Sequence, residues 1–171
     1  MRRASVCAAV AIVALVAATP AAAQVNVAVI DVQRVVSESD PGKEALQKLA
    51  GLRDAKAEEG QALQQELQAL REQFSKQQFT LSEERLEELQ KQIQDKGIAL
   101  QRFEDDARRE LEEARTKELG RLEQQIMPII NQIGQEQGLT LIFNKFQSGL
   151  VYADETVDIT DDVILRFNTQ Q

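Results

Sequence analysis

Residues 78–89 read QFTLSEERLEEL, and the fold turns on whether this stretch opens a helix or continues one. Thr80 and Glu83 have the spacing of a capping box. With Ser82 as N-cap instead, Leu81 and Leu86 form a hydrophobic staple, and Glu83 and Glu84 sit in the first turn against the positive end of the helix dipole. Helical patterning precedes the stretch and resumes for roughly fifty residues after it. A helix start placed between two helical runs predicts a reversal near residues 75–82 and an antiparallel helical hairpin on either side of it.

From Lys43 to about Gln78 nothing stops a helix. Leu46, Leu49, Leu63, Leu67, Leu70 and Phe74 recur at three- and four-residue steps, a heptad-like seam. In its middle the seam is interrupted, because Arg53, Lys56 and Gly60 hold the register. The return arm begins near Glu83 and carries Leu86, Leu89, Ile93, Leu100, Phe103 and Ala107 at the same spacing. Beyond them the period changes. Leu111, Leu122 and Ile133 are eleven apart, with Leu119, Ile126 and Ile129 between them, a repeat that unwinds a left-handed supercoil. Gly51, Gly97 and Gly120 interrupt the pattern at ~1 kcal/mol each against alanine and are candidate bending points. Pro128 predicts a kink or boundary. The outgoing arm reaches roughly 54 Å at helical rise.

The strand signal lies at the two ends. Val25–Asp31 is β-branched with rough alternation, and Val32–Val36 suits a short helical turn. Ser37–Gly42 is a breaker cluster in which Ser39 or Asp40 caps the next helix and Pro41 occupies its first turn. Gly134 and Gly138 end the long helix. Leu139–Phe143 reads as a second strand, Asn144–Gly149 as a loop, Leu150–Ala153 as a third strand and Asp154–Asp158 as a turn. Thr160 caps a last helix, with Asp161 and Asp162 in its first turn and Val163, Ile164 and Phe167 on one face. The fold class is therefore α+β. A small β-strand body forms from both ends of the chain, residues 24–42 and 134–171, and a hairpin arm spans 43–133.

A body of 57 residues buries a modest core and needs bracing. Its sheet edges invite pairing with further copies, so the body is expected to oligomerise, with Val27, Val29, Leu141, Phe143 and Val151 as candidate joining residues. The arms are expected to be soft. Two seam side chains per heptad gain ~1.5–3 kcal/mol each, against ~1–2 kcal/mol to fix each backbone residue and only ~0.5–1.5 returned per hydrogen bond.

Composition excludes several kinds of chemistry. Met1-Arg-Arg3, an apolar run Val6–Ala18 and Thr19-Pro-Ala-Ala-Ala23 form an export leader, with cleavage expected after Ala23 and a periplasmic location. Cys7, the one cysteine, lies in that leader, so no disulfide or thiolate metal site follows. Without Arg2 and Arg3 the 20 basic residues fall to 18 against 28 acidic ones, a net −10 that argues against nucleic acid. Histidine is absent, so the commonest nucleophilic, general-base and metal arrangements are unavailable, and no cofactor or enzymatic activity is expected. Large apolar side chains at the reversal, Phe74, Phe79 and Leu81, are candidate contacts for another polypeptide.

A leader, then VAVIDVQRVV, a breaker, a charged hairpin with TLSEERLEEL at its reversal, and LTLIFNKFQSGLVYADETVDITDDVI at the end: this arrangement resembles the Skp/OmpH family of periplasmic chaperones over essentially the whole chain after the leader. The resemblance implies a homotrimer with a β-barrel-like hub and three arms around a cavity. In that cavity unfolded outer-membrane proteins are held without ATP until the outer-membrane assembly machinery receives them. It also implies a lipopolysaccharide contact on the returning arm, which maps to Arg108 and Arg109, here flanked by Asp105, Asp106 and Glu110. The chain departs from the basic type of this family. Residues 43–127 carry 15 basic and 19 acidic side chains, so steering of acidic clients is weak or reversed. The competing reading is a structural coiled-coil adaptor or spacer of the cell envelope that docks one folded partner.

Overall fold

The computed structural model describes residues 25–170; the expected leader lies outside them. Strand β1 (Val27–Ile30) pairs in parallel with β2 (Leu141–Asn144), Val27 opposite Leu141 and Ile30 opposite Asn144. Parallel strands require a crossover connection rather than a tight turn. Here the crossover is everything from residue 31 to 140, and the arm is part of it.

Helix α1 (Val32–Glu38) starts at Asp31, whose side chain accepts from the Arg34 N–H. It stops at Ser39, which is extended and caps α2 (Asp40–Gln77) by accepting from the Gly42 N–H at 3.2 Å, with Pro41 in the first turn. Ser39 rather than Asp40 is thus the cap. Gly42 is required by the close approach of the two helices: a Cβ there would lie 1.9 Å from the Val36 carbonyl oxygen. After a turn at 78–82, α3 (Glu83–Glu136) begins behind Ser82. The capping box does not form. Thr80 instead donates its hydroxyl to the Gln77 carbonyl and ties down the end of α2.

The arm's inward positions show where sequence spacing was ambiguous. On α2 the buried or half-buried positions run Leu49, Leu52, Lys56, Gly60, Leu63, Leu67, with two successive four-residue steps around Lys56. On α3 they run Leu100, Phe103, Ala107, Leu111, with two successive fours around Ala107. Both helices depart from the heptad at one level, bridged by Lys56 to Glu110 at 2.8 Å and by Lys56 lying 5.9 Å from the centre of the Phe103 ring. Such an insertion of four unwinds the supercoil locally. Arg53, expected in the seam, is exposed and pairs with its neighbour Asp54; Leu52 takes the inward place. Leu119 is likewise displaced outward, and Glu118 turns inward, buried, bonded to Lys48 and Arg121.

Pro128 neither kinks α3 into two elements nor ends it. It lies on the exposed side, while Ile126, Ile129 and Ile133 are buried on the other. A carbonyl stripped of its partner there faces water, which limits the proline penalty. These isoleucines and Leu122 meet Ala28 and Ile30 of β1, Val35 of α1, Ala45 of α2, and Val163 and Phe167 of α4 (Thr160–Thr169) in one core. Gly134 is inside α3 rather than at its end. The helix reverses at Gly138, whose φ of 62° is a left-handed conformation open to glycine.

Leu150–Ala153 is not a strand within the single chain. Val151 is 100% and Tyr152 79% exposed, so this run has nothing to bury against. The second edge of β1 meets Asp158 instead, and the Ile159 N–H donates to the Val29 carbonyl at 3.0 Å. Thr160 is the first helical residue of α4 rather than its cap. Its N–H is held by the Asp158 carboxylate, and its hydroxyl accepts from the Asp31 N–H while donating to Asp158. Burial raises the Asp158 carboxyl, but Lys145 at 2.5 Å and the two Thr160 donors outweigh it and hold the group below the usual carboxylate range.

Two predictions follow from this packing. A Cβ at Gly51, Gly97 or Gly120 would meet no neighbouring atom, whereas one at Gly60 would lie 3.1 Å from the Phe103 ring. Gly97→Ala should therefore stabilise by up to ~1 kcal/mol, and Gly60→Ala should show none of that gain in thermal unfolding. Separately, bonds from Lys48 and then Arg121 depress the Glu118 pKa. Their stabilisation is present above the unfolded carboxyl value of about 4.3 and fades as pH falls through the folded value. The difference in melting temperature between wild type and Glu118→Gln should be full at neutral pH and shrink progressively as pH falls below the unfolded carboxyl value.

Candidate functional site

Side chains alternate across a strand, so Ala28 and Ile30 point into the helical core while Val27 and Val29 point to the opposite face. The parallel register sets Leu141 and Phe143 beside Val27 and Val29. Four of the five expected joining residues therefore share one sheet face. Val27 is 36%, Leu141 49% and Phe143 38% exposed, whereas Val29 is buried at 2%. The fifth, Val151, lies in the adjoining loop with Phe146 and Tyr152, all three well exposed. A short 3-10 helix, Glu155–Val157, packs beside β1 where Val29 is buried, while Val27, Leu141 and Phe143 stay partly exposed. Parallel sheets are normally covered on both faces, and a contiguous exposed apolar surface of this kind marks an interaction site.

The tip candidates separate. Phe74 and Leu81 are half-buried in the hairpin, while Phe79 projects with 89% of its surface exposed. Arg108 and Arg109 do not form a free basic pair. Arg109 donates to Asp106 at 2.7 Å and approaches Glu113 at 4.0 Å on its own helix, while Arg108 stands exposed one position earlier. The local charge is compensated, which weakens the case for an anionic lipid there.

Sequence spacing did not reveal two clefts that flank the distal seam. One, of about 690 Å³, is lined by Glu66, Leu70, Gln92 and Lys96, and the Lys96–Glu66 ion pair at 2.6 Å crosses from helix to helix beside it. The other, of about 380 Å³, has Leu67 and Leu100 along it, with Gln64, Gln68, Gly97 and Gln101. The smaller cleft has one signal in the sequence, Gly97 within a helical repeat, which also fits a bend; the larger has no glycine in its lining.

Among the described residues no helix is long and apolar enough to cross a membrane. The chain shares its fold with a protein from Caulobacter crescentus CB15 described as an OmpH-like outer membrane chaperone. The two superpose with a TM-score of 0.77 at 23% identity over 87% of each chain. No curated protein sequence matches the chain significantly. The family model described as "Outer membrane protein (OmpH-like)" matches residues 26–167. That match takes in the body, both arms and the closing helix, and the chain belongs to the OmpH-like outer membrane protein family.

Proposed function

We propose that this protein is an ATP-independent holdase of the periplasm, exported by a leader cleaved after Ala23. It assembles as a homotrimer through the partly exposed sheet face and holds unfolded outer-membrane proteins between its arms until the outer-membrane assembly machinery takes them over. The observation that carries this reading is the parallel β1–β2 pair with Val27, Leu141 and Phe143 exposed on its free side. Such a face needs a cover, and a second and third copy supply one of matching apolar chemistry. Assembly there leaves the arms as the exposed part of each protomer. Their seam is broken at Lys56 and Gly60, which supports arms that adapt to cargoes of different size. The likeness to an OmpH-like chaperone agrees with this reading.

Phe79 favours a second reading. A single projecting aromatic at the end of a long arm suits docking to one folded partner, as in an envelope adaptor.

Diluting a urea-unfolded outer-membrane protein into buffer separates the two. A holdase abolishes the rise in light scattering at about one trimer per client; an adaptor leaves it unchanged at any excess. Phe143→Glu places a charge on the free face without touching the helical core. It should convert the trimer to monomer in light scattering, keep the helical circular dichroism of the arms, and lose the suppression. A Phe143→Glu protein that still scatters as a trimer would refute this mode of assembly.

A further inference from the structure

The cleft at Gly97 differs from its counterpart across the seam. No inter-helix ion pair is found beside it among the described residues, and its lining combines apolar side chains and three glutamine amides with one charge of each sign, Arg71 and Glu104. Gly97 is a poor helix former, yet no neighbour demands it: a Cβ there would meet nothing within 4 Å. The fold does not account for this glycine. The space beside it is lined by Leu67 and Leu100, by Gln64, Gln68 and Gln101, and by Arg71 and Glu104. The Gln68 amide donates to Glu72 and keeps its oxygen available, while Gln64 and Gln101 make no side-chain hydrogen bond among the described residues.

We propose that this cleft seats an extended segment of unfolded polypeptide, with the glutamine amides bonding its main chain and the Gly97 notch receiving one apolar side chain. The assignment rests on the holdase reading and names the part of the arm that grips the client. An extended chain presents N–H and C=O groups alternately. A glutamine side chain answers both, because it carries donors and acceptors together, whereas a carboxylate only accepts and a lysine only donates. Amides are also indifferent to the client's charge. An arm with 15 basic and 19 acidic residues over 43–127 has no long-range attraction to offer an acidic client, and it gains from contacts of this kind. From Gln64 to Arg71 the cleft runs about two turns, roughly 10 Å, or about three residues of extended chain. Side chains of such a segment alternate in and out, which suits the alternating apolar pattern of outer-membrane β-strands. Each cleft would then hold a short stretch weakly, and the copies in an assembly would hold one chain together.

The test uses a substitution that strengthens the helix while blocking the notch. Gly97→Leu should raise the melting temperature by about 2–4 °C and weaken binding of a fluorescent, urea-unfolded outer-membrane β-barrel protein about tenfold, equivalent to ~1.4 kcal/mol. Gln64→Ala/Gln68→Ala/Gln101→Ala should weaken it to a similar degree, and decides the matter if the leucine variant fails to fold. Gly120→Ala and Gln47→Ala/Gln124→Ala, placed away from the cleft, should bind as wild type does. Wild-type binding retained by both cleft variants would overturn the assignment and leave the holdase reading intact. Weaker binding accompanied by a change in molecular mass would show that the cleft holds another copy's arm, which also overturns it. A wild-type protein that binds no unfolded client removes the holdase reading and the assignment together.

Discussion

The hydrogen bonds between Val27–Ile30 and Leu141–Asn144 join strands that point the same way. A chain that leaves one such strand must travel back outside the sheet before it can enter the other. In a compact α/β protein a single helix of a dozen residues does this. Here the return path is drawn out into a hairpin, and only the last part of α3, from Leu122 to Ile133, performs the ordinary duty of a crossover helix by covering the sheet. One face is thereby sealed by α1, α3 and α4. The other face keeps Val27, Leu141 and Phe143 exposed. The same connection that makes the arm also leaves the body half covered, so arm and proposed assembly share one topological cause.

The body is nevertheless well determined within one chain. Asp158 gathers Lys145 from the end of β2 and Thr160 from the start of α4, and Thr160 in turn accepts from the Asp31 N–H at the end of β1. The end of β1 is thus tied to two segments of the C-terminal part of the chain, 129 residues away at Thr160, by one carboxylate and one hydroxyl. Such networks are effective because each member is satisfied by the others in a setting where water has limited access. No buried side-chain polar atom is left without a partner among the described residues.

What the sequence revealed and concealed follows from the range of the interactions involved. The reversal at 78–82 was legible because the helix-start signal, Ser82 followed by Glu83 and Glu84 in the first turn, is local in sequence. The seam was legible wherever the repeat was regular, from Leu63 to Phe74 and from Leu86 to Phe103. It misled at Arg53 and Leu119, close to places where the repeat slips by one residue and Leu52 or Glu118 turns inward instead. Periodicity cannot choose between neighbours there; only the opposite helix can. No boundary falls at Pro128, which lies on the exposed side of α3 while the packed face continues through Ile126, Ile129 and Ile133. The parallel pairing, the Asp158 network and the Gly97 cleft had no local signature, since each depends on residues from distant parts of the chain.

The coincident break at Lys56 on one helix and Ala107 on the other has a consequence for how such a limb can be lengthened or shortened. Deleting residues from one helix alone would slide every cross-seam partner out of phase, from Glu66–Lys96 to the reversal. Phase is kept only if both helices lose or gain a full heptad on the distal side, which changes the reach by about 10 Å at each increment. Span is therefore a stepped quantity, and relatives with longer or shorter limbs should differ by matched sevens rather than by arbitrary insertions.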